Sequence, residues 1–163
     1  MRADEIFELK VMNVANGTTI GSVTGVLIDG DTRQVVALEI GGGVLSHADY
    51  LPFGSIISIE NDVLTISSTR VLVRRGEFKT SRQVGTLSGR QVFTEDGKNL
   101  GTVHEYDIDT TTGEITSITV ALDTAVLGGL WHTAGERFEI PRKLITKLGD
   151  SVIVDSSVPN TVP

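Results

Sequence analysis

The densest chemistry in the chain lies in one run: His104, Glu105, Tyr106, Asp107, Ile108 and Asp109. An imidazole, a phenol and three carboxylates could move protons or hold a cation. Strand alternation, unless a bulge intervenes, sends His104 and Tyr106 to one face and Glu105 and Asp107 to the other, so the set is split. As a calcium loop it also fails, because Gly113 stands at the seventh position from Asp107 rather than the sixth. Turn-forming acids at a strand end are the plainer reading. A second candidate is an open zinc site from His47, His104 and His132, with Asp49 and Glu136 as oxygen ligands. It underlies an alternative function, a metal-dependent enzyme using histidines of the crossover loops. Isolated histidines are more often surface or capping residues, so neither metal nor cofactor is expected. No serine sits in a G-x-S-x-G elbow, there is no P-loop, and Gly41, Gly42 and Gly43 lack the spacing of a dinucleotide site. With zero cysteines, disulfides, thiolate zinc sites and a cysteine nucleophile are excluded. The chain reads as a non-enzyme.

The elements that carry these residues are arranged by an internal repeat. Residues 99–120 align with residues 19–40, pairing Gly101 with Gly21, Val103 with Val23, Ile108 with Ile28 and Asp109 with Asp29, always 80 positions apart. In each copy the core candidates change phase: Val23, Val26 and Ile28, like Val103, Tyr106 and Ile108, cannot all face one way on a flat strand. A bulge near Thr24 and Gly25 would repair the phase and curl the strand. Turns rich in Asp, Gly and Thr return the chain into strands, with Val36, Leu38 and Ile40 on one face of the first return. Leu51 and Pro52 correspond to Ile140 and Pro141, now 89 positions apart, so the second copy carries an insertion within 121–138. With 18 glycines, few aromatics and many β-branched residues, the class is all-β: two tandem small β-barrels related by duplication.

The expected domains are a first barrel over 6–67, a basic connector over 68–86, a second barrel over 87–155 and a disordered tail over 156–163, with the first five residues loose. The connector carries Arg70, Arg74, Arg75, Lys79 and Arg82 against Glu77 alone, in a chain of net charge −7. Its simplest role is a solvated linker facing acidic neighbours; an RNA- or ribosome-associated factor using these cations is the other alternative function. The overall acidity disfavours nucleic acid as a partner. No apolar run reaches the length of a membrane-spanning helix and the opening ten residues lack the apolar core of a secretion signal, so a cytoplasmic place is expected.

The repeated pattern resembles the PRC-barrel family. In the first copy it comprises Asn16 and Gly17; Ile20, Gly21, Ser22 and Val23; Ile28 and Asp29; and Leu51 and Pro52 followed by Ile56. In the second it comprises Asp96 and Gly97; Leu100, Gly101, Thr102 and Val103; Ile108 and Asp109; and Ile140 and Pro141 followed by Ile145. The family takes its name from the cytoplasmic domain of the photosynthetic reaction centre H subunit, and a similar barrel forms the C-terminal half of a ribosome maturation factor. The resemblance implies a small barrel that binds other proteins, and it brings no catalytic residues.

The function expected is therefore a protein-interaction or adaptor module. The insertion concentrates Leu127, Leu130, the only tryptophan, Trp131, and His132 on glycine hinges, in a loop rather than a patterned strand. Exposed, such a cluster is a partner surface; folded back, it is a lid on a barrel. With Arg74 and Arg75 these are the expected partner-binding residues. The partner is another protein, and since a 60-residue barrel is marginal alone, a homodimer is also open.

Overall fold

In the computed structural model, all residues are described except 44–48, 79–82, 123–125, 128–129, 132–135 and 161–163; for 75, 126–127 and 130–131 only the backbone is described. The chain forms two units: Met1–Thr86 with Asp109–Glu114, and Leu87–Ile108 with Ile115–Pro163.

Unit one opens with a short helix, α1 (Ala3–Ile6), whose Ala3 and Ile6 are fully buried. The expected loose start is thereby corrected: two apolar side chains within six residues suffice to staple it down. Six strands follow, β1 (Lys10–Asn13), β2 (Thr18–Asp29), β3 (Gln34–Gly41), β4 (Asp49–Pro52), β5 (Ile56–Glu60) and β6 (Val63–Ile66). Two more, β7 (Val73–Arg74) and β8 (Gln83–Val84), come from the stretch expected as a connector. The sheet runs β5-β6-β1-β2-β3-β4-β7, with β8 added to β2. Adjacent pairs are antiparallel except β1 with β6, which is parallel.

Unit two repeats the plan with β9 (Gln91–Thr94), β10 (Asn99–Ile108), β11 (Ile115–Leu122), a two-strand insertion β12 (Val126–Leu127) and β13 (Leu130–Trp131), then β14 (Arg137–Pro141), β15 (Ile145–Leu148) and β16 (Val152–Val154). Its sheet runs β14-β11-β10-β9-β16-β15, and β16 with β9 is again the parallel pair. The all-β class and the duplication thus appear in the topology itself.

The phase change read from the sequence is a bulge in both copies. Against β3, β2 runs from Val23 opposite Ile40 to Gly25 opposite Glu39, leaving Thr24 over; against β11, β10 runs from Val103 opposite Val120 to Glu105 opposite Thr119, leaving His104 over. The extra residue turns the strand by half a pleat. Val23, Val26 and Ile28 can all be buried as a result, as are Val103, Tyr106 and Ile108. A second slip, 80 positions apart in the two copies, makes Val36 and Thr116 the extra residues of β3 and β11. It corrects the expected face of β3: Leu38 and Ile40 are buried with Val35 and Ala37, while Val36 is half-buried.

Turns repeat as well. Asp29 accepts the Asp31 N–H at 2.9 Å and Asp109 the Thr111 N–H at 2.8 Å, each through Oδ1, so a carboxylate stabilises each hairpin turn from within. The turn then needs a left-handed residue, which is Gly113 (φ 81°) in one copy and Arg33 (φ 57°) in the other.

The ends of the repeats also correspond. After β6, the Val71 N–H donates to the Ser68 carbonyl at 3.3 Å; after β16, the Val158 N–H donates to the Asp155 carbonyl at 3.1 Å. Val158 is fully buried and Pro159 is buried within a 3-10 turn, Val158–Asn160. Residues 156–160 are therefore the closing turn of the second repeat rather than the disordered tail expected. Val158, Pro159 and hydrogen bonds to Asp96 and Asp155 hold it, too short a signal to read through two prolines.

Those bonds make the turn sensitive to acid. The Thr94 hydroxyl donates to Asp96 and holds its carboxyl below the ordinary 3.8; desolvation opposes this, and a bond from the Ser156 side chain and the charge of Lys98 add to the lowering. Asp155 is lowered likewise, mainly by Ser157, whose N–H it accepts at 2.8 Å. A carboxylate whose folded pKa is depressed stabilises above its unfolded value, and that contribution is lost as pH falls through the folded value. Urea midpoints measured from about pH 5 down to about pH 2 should fall, and D96N/D155N should fall less steeply over that range. Parallel curves for the two proteins would refute the assignment.

Candidate interaction site

The insertion is a hairpin and not the unpatterned loop expected. β12 and β13 pair antiparallel, Val126 opposite Trp131 and Leu127 opposite Leu130. Two residues, Gly128 and Gly129, separate the strands in sequence, the spacing and residue type of a tight hairpin connection. Among the described residues this two-stranded sheet shares no strand with the main sheet of unit two. Leu127, Leu130 and Trp131 lie on its backbone, and His132 falls outside the described residues.

The basic stretch is an edge of unit one and not a free linker. Arg74 is exposed and stands opposite Asp49 across β7 and β4, while Val73 stands opposite Tyr50. The Phe78 ring meets the Tyr50 ring edge-on at 5.8 Å, which ties down the chain beyond β7. Arg75 begins a 3-10 turn, Arg75–Glu77. Lys79 and Arg82 fall outside the described residues. An arginine placed across from an aspartate is what a folded, charge-matched edge needs. The structure leaves Arg70 and Arg74 as exposed cations there.

The acidic and histidine candidates separate. Because His104 is the bulged residue it is exposed, whereas Tyr106 is fully buried. Glu105 accepts the Tyr106 N–H at 2.8 Å, Asp107 accepts the Ser117 hydroxyl at 3.1 Å, and Asp109 is occupied with its turn. His47 and His132 lie outside the described residues, and among the described ones no three His, Asp or Glu side chains gather to hold a metal.

One surface escaped the sequence reading. On the outer side of the parallel pair in unit two, Phe93 and Ile153 stand opposite each other and floor an open groove of about 700 Å³, with Thr94, Glu95, Gly97 and Lys147 around it. In unit one the same positions hold Met12 and Thr65, and Ser58 replaces Lys147. The signal was present as apolar residues out of phase with buried Val92, Val152 and Val154. The groove thus sets an apolar floor beside one cation, Lys147, and one carboxylate, Glu95.

The PRC-barrel domain model matches residues 1–73 and again residues 80–158. The chain belongs to the PRC-barrel domain family. Each matched segment of this PRC-barrel protein ends at or just beyond the closing turn described above, after Val71 in one copy and at Val158 in the other. Comparison with curated proteins gives no match. Among the described residues no helix is long and apolar enough to cross a membrane.

Proposed function

We propose that this tandem PRC-barrel protein is a non-enzymatic interaction module that engages another protein through the β12–β13 hairpin. The observation that carries the reading is the hairpin itself. Unit two carries two strands outside its main sheet, in the stretch where its sequence is longer than that of the first copy, and they bear the only tryptophan. The first copy lacks these extra residues in its sequence, so the hairpin is an addition to the repeated plan. Tryptophan is among the residue types that anchor protein interfaces.

Affinity capture from the native cell tests it. Partner recovery should fall at least about tenfold for L130S/W131A, the loss of one aromatic anchor, with an unchanged circular dichroism spectrum. Unchanged recovery would remove the hairpin from the reading. The RNA alternative makes the opposite forecast: binding would survive L130S/W131A, weaken steeply with salt and disappear on reversing Arg70 and Arg74.

A further inference from the structure

The two repeats differ at one sheet edge. In unit one the outer edge of β4 is covered by β7. In unit two the counterpart β14 pairs with β11 on one side and, among the described residues, with no strand on the other. Arg137, Glu139 and Pro141 of β14 are exposed, while Phe138 and Ile140 face the core. A bare edge offers N–H and C=O groups to another strand.

We propose that β14 pairs antiparallel with β14 of a second copy of this chain, about a twofold axis at Phe138. The register follows from the side chains. Strand partners must face the same side of a continuous sheet, so the axis has to pass through a residue position. An axis at Arg137 or Glu139 sets that residue against its own copy, like charge on like charge. An axis at Ile140 opposes Arg137 to Lys143 and draws Pro141, which has no N–H, into the ladder. The axis at Phe138 places Arg137 opposite Glu139 of the other copy, twice by symmetry. Core-facing Phe138 then meets its equivalent along the inner side. So short a ladder makes a weak, concentration-dependent dimer. The inference is independent of the hairpin reading, because it involves neither β12 nor β13.

Sedimentation equilibrium of the full chain from micromolar to millimolar concentration tests it. The unaltered protein should associate reversibly to a dimer, and added salt should weaken that association. Arg137→Glu and Glu139→Arg alone should each weaken it about tenfold or more, since each turns two attractive cross-strand pairs into repulsive ones. The double swap R137E/E139R should restore it, with melting temperatures showing that all three variants fold. A monomer throughout would overturn the proposal, as would indifference to the single reversals. So would a dimer formed only after removal of residues 161–163, since the chain's own end would then be what covers the edge.

Discussion

Tyr106→Ala should cost unit two about 3–5 kcal/mol, the range for removing a large buried aromatic ring. Among the described residues Tyr106 is the largest fully buried side chain, and the bulge at His104 is what turns it inward. Domain stabilities are only about 5–15 kcal/mol in total, so this one change should lower the melting temperature of unit two by more than about 10 °C. The repeat supplies a comparison: the equivalent position in unit one is Val26, 8% exposed, where truncation to Ala removes far less volume. Tyr106→Phe keeps the ring and should cost much less than the alanine. Thermal unfolding of the three variants checks the order. A loss under about 1 kcal/mol for Tyr106→Ala would mean that the ring does not fill the core as described.

The second large effect is expected at Gly43. Its φ is +58°, and an added Cβ would lie 2.5 Å from the Ile20 carbonyl oxygen and 2.9 Å from the Gly21 Cα. Those neighbours are backbone and cannot swing aside. Gly43→Ala should therefore combine overpacking, about 1–3 kcal/mol, with the left-handed conformation, about 1–2 kcal/mol. Gly42 is the control next door, with φ +71° and nothing within 4 Å of an added Cβ. Gly42→Ala should show the conformational part alone. Denaturant midpoints that fall equally for the two alanines would show that the close approach of the chain after β3 to β2 is not there.

Much of the architecture was readable because duplication writes it twice. A single odd step in hydrophobic phase is ambiguous, but the same step at Val23 and Val103 could only be a feature of the fold, and both copies carry the bulge. The proline pair Pro52 and Pro141 likewise located the insertion. What escaped were elements too short for any period to show. β7 and β8 have two residues each, and Val73 and Arg74 read as charge rather than as strand. The closing turn rests on Val158 and Pro159 with a few hydrogen bonds, and α1 on Ala3 and Ile6. In the candidate site, the tryptophan and its leucines were visible by type, while strands of only two residues on either side of Gly128 and Gly129 were too short to show a period. The groove on Phe93 and Ile153 needed the parallel pairing of β9 with β16, which joins residues 60 positions apart in sequence.

That parallel pairing also sets an order of events during synthesis. β9 is made early in the second repeat, yet one of its edges stays unmatched until residues 152–154 have emerged as β16. Until then its backbone groups are open to any passing strand, as those of β1 are until residues 63–66 arrive. The second unit is thus sealed by its final strand and the first by β6, with only the short β7 and β8 still to come. A polypeptide released before residue 152 would carry an open seam through the middle of the sheet.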